Sequence, residues 1–226
     1  MLAAVIFDFD GVITDSEILH LRAFNKVLSQ FDFEIDRKDY YSKYLGYTDA
    51  DCFGQLIEDG LLKTDHGQIP NLIKQKNRIF EELAKTEGRT IEGVHEFLNM
   101  LGQNNIPMAI CSGALMAEIE LILDEANLRD CFVTIISAEH VTKGKPHPEG
   151  FLLTLEKLKK RCGDTITANQ CIVIEDSLWG IKAAKAALMP CIAVTNSYDA
   201  EQLSMADKIV KKLSVLSLKD LQQICR

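Results

Sequence analysis

Short apolar runs recur along this 226-residue chain, and the later ones alternate with helical patterns. The runs are LAAVIFD at 2–8, PMAIC at 107–111, FVTII at 132–136, QCIVI at 170–174 and PCIAV at 190–194, with a weaker DKIV at 207–210. They are near-continuous, not alternating in polarity, which is the pattern of parallel strands covered on both faces. Helical periodicity follows at 93–104, 115–126, 149–161, 178–187 and 199–205. Strand alternating with helix implies right-handed crossovers, so the spacing predicts a doubly wound, Rossmann-like parallel α/β sheet.

The alternation breaks once. About a hundred residues separate the first run from the second, and most of them read as helix. Residues 17–30 place Leu21, Phe24, Val27 and Leu28 on one face, and further helical patterns lie at 36–44, 49–59 and 69–87. The expected organisation is an α/β core from 1–14 and 89–226, with a small helical subdomain, 15–88, inserted after the first strand.

Composition excludes several classes of function. The formal net charge is −8 and its acids are scattered, with no basic stripe to track a nucleic-acid backbone. The densest basic run, KLKKR at 157–161, suits the C-terminal end of a helix, where the macrodipole favours cations. No apolar stretch nears the roughly 18 residues that cross a membrane, and Asp8 interrupts the only apolar run at the N-terminus. Seven widely spaced cysteines, an odd number without a CxxC pair, fit a reducing cytoplasm.

Ligands of open parallel sheets bind beyond the carboxyl ends of the strands, and unusual residues gather there. The first strand ends in Asp8 and Asp10, one residue apart, followed by Gly11. Two carboxylates that close repel unless a cation or proton lies between them. A turn or cap accounts for one aspartate, with Asp15 or Ser16 available to cap the following helix. The second strand leads into ICSGA, where Ser112 and Gly113 precede a helix and could form an anion site or a plain N-cap. The third leads into SAEHVTKGKPHPEGF, with Lys145 between Gly144 and Pro146. Held there, its ammonium is a point charge suited to phosphate; otherwise it is a solvated surface lysine. The fourth ends in Glu175 and Asp176, carboxylates of the kind Mg²⁺ takes, before Ser177 as a helix cap and Gly180, Ala183 and Ala184 for close helix packing.

Together, DFDGVITDSE, ICSGA, KGKPHPEGF and VIEDSLWGIKAA resemble, in order and spacing, the four motifs of the haloacid dehalogenase superfamily of phosphotransferases. The inserted helices are similar to the small cap of its β-phosphoglucomutase and phosphoglycolate phosphatase subgroup. The resemblance implies Asp8 as nucleophile, Asp10 as general acid and base, and Ser112 and Lys145 as holders of the phosphate oxygens. It implies Mg²⁺ bound by Asp8, the Asp10 carbonyl and Asp176, with Glu175 direct or through water. All six positions are intact, which disfavours an inactive homologue. A phosphoacceptor signalling module, a non-enzymatic alternative, is about half this length and places its aspartate on a middle strand.

Asp10 also disfavours the dehalogenases, which lack a second aspartate there. Phosphatase and phosphomutase share every core motif, so the cap must separate them. Caps resembling that of β-phosphoglucomutase carry Lys-Gly-Val-Ser-Arg where this chain has Leu45-Gly46-Tyr47-Thr48-Asp49. An acid at 49 repels a second phosphate and favours a phosphatase of a small phosphorylated metabolite. His20 and Lys76 pull toward the mutase, since they match a proton-gating histidine and a sugar-contacting lysine. Gly113, His20, Tyr47, Thr48, Asp49 and Lys76 are thus the expected substrate contacts. Linkers near 12–16 and 86–92, with Gly88 and Gly93, are expected to let the cap open and close, and a monomer is expected.

Overall fold

The computed structural model describes residues 2–45 and 47–225. It divides into two compact units: Met1–Asp15 with Arg89–Arg226, and Ser16–Gly88. In chain order the main elements are β1 (Ala4–Phe7), α1 (Glu17–Leu28), α2 (Arg37–Asp39), α3 (Asp49–Glu58), α4 (Ile69–Glu87), α5 (Val94–Gln103), β2 (Met108–Cys111), α6 (Met116–Glu125), β3 (Thr134–Ile136), α7 (Glu149–Cys162), β4 (Cys171–Glu175), α8 (Leu178–Ala186), β5 (Cys191–Val194), β6 (Lys208–Val210) and α9 (Leu218–Ile224).

The larger unit is a doubly wound α/β domain with one parallel sheet in the order β3-β2-β1-β4-β5-β6. The apolar strands serve two helical layers. Ala4, Ile6, Cys171 and Val173 share a buried cluster with Phe151 and Leu158 of α7 and with Ile181 and Ala184 of α8. Phe7, one residue on from Ile6, turns to the other face and meets Phe97 of α5 and Phe132 edge-on, each 6.0 Å away. Both faces are covered, which is why the runs show no polar alternation. The chain first builds outward from β1 through β2 to β3, then returns to the other side of β1 with β4. That reversal places the carboxyl ends of β1 and β4 side by side at a switch point.

The smaller unit is helical. Leu21, Phe24, Val27 and Leu28 of α1 are all buried, against Phe53 and Leu56 of α3 and Leu72 of α4.

Two local expectations differ from the structure, and a third, the helical pattern at 36–44, is met with a change of helix type. Residues 199–205 form turns, not a helix; Gln202, Ser204 and Ala206 donate three residues back, at 3.0, 3.3 and 3.0 Å. A stretch that short, with Leu203 as its fully buried anchor, does not offset helix nucleation. Residues 36–44 divide into the single turn α2, capped by Asp36, and a wider turn over Tyr40–Tyr44 that closes with Leu45 donating to Tyr40. Widening the turn buries both Tyr40 and Tyr44. Ser16 is the N-cap residue of α1, but it has helical φ and ψ and its side chain makes no capping bond. The basic run KLKKR does close α7, with Lys159, Lys160 and Arg161 in its last turn.

Candidate active site

Sheet register assembles the site. Phe7 pairs with Ile174, and the Asp8 N–H donates to the Ile174 carbonyl at 2.9 Å, so Asp8 leaves β1 beside Glu175 at the end of β4. Asp8, Glu175 and Asp176 are all buried, and each offers a carboxylate oxygen within 4.8 Å of the others. Lys145 comes from the loop before α7 and completes the group. Its Nζ donates to Asp8 Oδ1 and Glu175 Oε1, both at 2.6 Å, and lies 5.2 Å from the centre of the Phe151 ring.

Glu175 is the most heavily bound of the three. Its Oε2 accepts from the Asp176 N–H at 3.0 Å, the Ser177 N–H at 3.0 Å and the Ser177 hydroxyl at 2.9 Å. Ser177 in turn caps α8, accepting from the Gly180 N–H at 3.0 Å. Gly180 must be glycine here, because a Cβ would collide with the Glu175 carboxylate.

Three carboxylates face one ammonium, and the imbalance shows in the proton affinities of Asp8 and Asp176. Burial pushes the Asp8 carboxyl up to about 7; Lys145 opposes this, and Glu175 and Asp10 add to it. Asp176 is held well above the ordinary carboxylate range, by burial first and then by the charges of Glu175 and Asp8. Burial pulls the Lys145 ammonium down, yet Asp8 and Glu175 together hold its pKa well above the usual lysine value. A buried, all-oxygen donor set with surplus negative charge fits a hard divalent cation of the Mg²⁺ type.

Asp10 lies two residues beyond Asp8, in the turn where it bridges to Thr14. Gly11 follows with φ +75°, a left-handed value that favours glycine, and its N–H donates to the Thr14 carbonyl at 2.8 Å. Ser112 extends β2 by donating its N–H to Ile136 at 2.9 Å, while its hydroxyl accepts from the Ala114 N–H at 2.9 Å. It is not the cap of α6, a position held by Leu115. The helix end expected to bind an anion is already engaged: Glu139 accepts from the Met116 N–H at 2.8 Å and Glu118 from the Leu115 N–H at 3.3 Å. Gly113 is exposed, with open space where a Cβ would stand.

In the helical unit, three of the expected residues converge. Lys76 is only 1% exposed. Its Nζ reaches Asp49 Oδ1 at 2.9 Å and His20 Nδ1 at 2.7 Å, and lies 5.3 Å from the ring centres of both Phe24 and Phe80. An ammonium only donates, so Nδ1 accepts and the imidazole is neutral with its hydrogen on Nε2. Burial, then the Lys76 charge, hold the His20 pKa well below its ordinary value. The ring also stacks on Phe80 at 4.1 Å. Thr48 instead caps α3, accepting from the Asp51 N–H at 3.1 Å, and Tyr47 is half exposed. Gly46 of the same loop lies outside the described residues.

Sequence reasoning missed Asn196 and Ser197. They follow β5, a fifth strand end at the same edge of the sheet, where the Ser197 hydroxyl donates to Asp176 Oδ2 and Asn196 Nδ2 donates to the Gly11 carbonyl at 2.7 Å. Their signal is position alone, just past the carboxyl end of the PCIAV strand.

Comparison with known proteins gives the chain a family and a fold. The family model described as haloacid dehalogenase-like hydrolase matches residues 5–194. A stretch of 160 residues is 32% identical to the chloroplastic 5-amino-6-(5-phospho-D-ribitylamino)uracil phosphatase of Arabidopsis thaliana, covering 71% of this chain and 41% of that longer protein. Over 226 residues the chain is 29% identical to the β-phosphoglucomutase of Bacillus subtilis, covering 98% of this chain and 95% of that one. The crystal structure of CbbY from Rhodobacter sphaeroides in complex with phosphate superposes with a TM-score of 0.86 at 23% identity, covering 98% of this chain and 100% of that chain. At that identity the likeness is one of fold.

Proposed function

The chain belongs to the haloacid dehalogenase-like hydrolase family, and from that premise we propose that it is a Mg²⁺-dependent phosphatase of a small phosphorylated metabolite, of sugar phosphate or phosphoglycolate type. One observation carries the reading: Asp8, Glu175, Asp176 and Lys145 meet at the carboxyl edge of the sheet with more negative than positive charge.

In this reading Asp8 attacks the phosphorus and forms an aspartyl phosphate, while Asp10 protonates the departing oxygen. Asp10 then takes a proton from the water that hydrolyses the intermediate, so one group serves as acid and base in turn. Lys145, already 2.6 Å from Asp8, orients that carboxylate and lies within reach of the phosphoryl oxygens. Ser112 is proposed to hold another of these oxygens. Mg²⁺ held by Asp8, the Asp10 carbonyl and Asp176, with Glu175 behind them, would supply the remaining charge neutralisation.

Hydrolysis is favoured over mutase chemistry by Asp49. Its carboxylate takes up the Lys76 ammonium at 2.9 Å, where a mutase needs cationic grip on a second phosphate. The likeness to a β-phosphoglucomutase over nearly the whole chain, and the His20–Lys76 contact, support the mutase as second reading.

The test is incubation with Mg²⁺ and a panel including β-glucose 1-phosphate, hexose 6-phosphates and 2-phosphoglycolate, following free phosphate and isomerised sugar phosphate together. Free phosphate that EDTA or Asp8→Asn abolishes supports the phosphatase. Glucose 6-phosphate formed without free phosphate overturns it in favour of the mutase.

A further inference from the structure

The turn that leaves β5 contributes no carboxylate, yet it touches two segments of the acidic cluster. Thr195 remains in the sheet, its N–H donating to the Val210 carbonyl at 3.0 Å, and the next two side chains turn inward along the carboxyl edge. Asn196 reaches 185 residues back in sequence to the Gly11 carbonyl at 2.7 Å, although the residue itself is exposed. Ser197, half-buried, donates its hydroxyl to Asp176 Oδ2.

Gly11 is where these contacts close. A Cβ at this position would run into the Asp176 carboxylate and would lie 2.8 Å from the Ser197 Oγ. The turn after β1, the acid after β4 and the turn after β5 therefore meet with no room for a methyl group. The Ser197 donor at Oδ2 holds the Asp176 carboxylate in one orientation beside Asp8 and Glu175. The Gly11 turn carries Asp8 and Asp10 directly before it, so a fixed Gly11 carbonyl fixes the exit of both.

We propose that Asn196 and Ser197 are positioning residues for the metal site: Ser197 sets which oxygen of Asp176 faces the cation, and Asn196 holds the Gly11 turn in register with it. Neither side chain touches the substrate; both act through the ligands. Outer hydrogen-bond partners of metal ligands typically change metal affinity by about 10- to 100-fold. This inference rests on the Mg²⁺-dependent reading above.

The experiment is calorimetric titration of Mg²⁺ into the EDTA-stripped full chain. It compares the unaltered protein, Ser197→Ala, Ser197→Thr and Asn196→Ala, with a thermal unfolding curve for each. Ser197→Ala should weaken Mg²⁺ binding by about 10-fold or more. It should raise the Mg²⁺ concentration needed for half-maximal phosphate release, with kcat at saturating Mg²⁺ far less affected. Ser197→Thr keeps the hydroxyl and should restore most of the affinity. Asn196→Ala, a change at an exposed side chain, should weaken binding to a smaller extent, and it carries the test if Ser197→Ala does not fold.

Unchanged Mg²⁺ affinity in both alanine variants, with only a lowered unfolding temperature, overturns the proposal and leaves the turn a purely structural clamp. Absence of Mg²⁺ binding in the unaltered protein overturns the metal-dependent reading itself. The two failures are thus told apart by which protein fails to respond.

Discussion

Two lysines, the buried Lys76 in the helical unit and the half-buried Lys145 in the core unit, do different work with the same functional group. Lys76 sits among one carboxylate, one neutral imidazole and two aromatic faces. Its charge is answered once, by Asp49, and its other contacts are satisfied within the helices. Lys145 bridges Asp8 and Glu175, and Asp176 stands beside them as a third carboxylate. The helical cluster balances without a ligand; the core cluster does not. Removing one partner of a balanced buried pair harms folding, because it leaves a lone charge. An unbalanced cluster stores repulsion that a cation relieves, so there chemistry and stability oppose each other.

The sharpest way to break this contrast is at the unbalanced site. Asp8→Asn should lower phosphate release by at least about 10³-fold, as loss of a nucleophile does. It should also raise the unfolding temperature in metal-free buffer, since one buried charge disappears while Lys145 keeps an acceptor. A lowered temperature would show that the carboxylates are not in mutual repulsion. Lys145→Met should do the opposite without metal, destabilising by about 3–5 kcal/mol because three buried carboxylates lose their cation. Added Mg²⁺ should restore part of that stability. Lys76→Met should cost less, about 1–3 kcal/mol, because Asp49 keeps access to water, and Mg²⁺ should not restore it. Equal rescue by Mg²⁺ in both variants would erase the distinction.

The same contrast explains what the sequence made legible. Asp8, Glu175, Asp176 and Lys145 stood out because charges at the ends of apolar strands are unusual, and the sheet order that joins them follows from strand–helix alternation. Lys76 was harder. Its spacing on α4 reads as readily as a solvated face, and its burial depends on Phe24, Phe80, His20 and Asp49 arriving from other parts of the chain. Ser112 was legible as a strand-end residue but not in its local role. A serine and glycine before a helix look like a cap, but the chain continues to Leu115 before the helix begins, and Glu118 and Glu139 take the amides. Residues 199–205 read as helix by periodicity alone, because their turns are set by one buried leucine and not by a local start or stop signal.

A finer test lies in Asp49. Asp49→Asn keeps the shape and a hydrogen-bond acceptor but leaves Lys76 without its opposing charge. Its expected effect is a shift in selection toward doubly anionic substrates, read as the ratio of kcat/KM for a bisphosphorylated sugar over a monophosphorylated one. An increase of about 10-fold corresponds to about 1.4 kcal/mol, the order of one screened charge contact. An unchanged ratio would mean that Asp49 matters to the helical fold and not to substrate choice, and the preference for hydrolysis over mutase chemistry would lose its support.

The smallest effect is expected from His20, and it runs with pH. In the folded chain this imidazole is neutral and accepts from the Lys76 ammonium, with its pKa depressed well below the ordinary value of 6.5. Below about pH 6.5 the unfolded chain binds a proton that the folded chain refuses, so stability falls as pH falls. One proton sets a ceiling of about 1.4 kcal/mol per pH unit, and the half-buried ring should show less than that. The core carboxylates act in the opposite sense. Asp8 and Asp176 have raised folded-state values, so protonation of the folded chain offsets the loss as pH drops. The unfolding temperature of the unaltered protein mixes the two trends; a variant separates them. His20→Asn keeps an acceptor near Nδ1 and cannot protonate. Its unfolding temperature relative to the unaltered protein should rise as pH goes from 7.5 to 5. A constant difference over that range would mean that His20 takes up its proton in place, and that the helical cluster is not balanced in the way its geometry indicates.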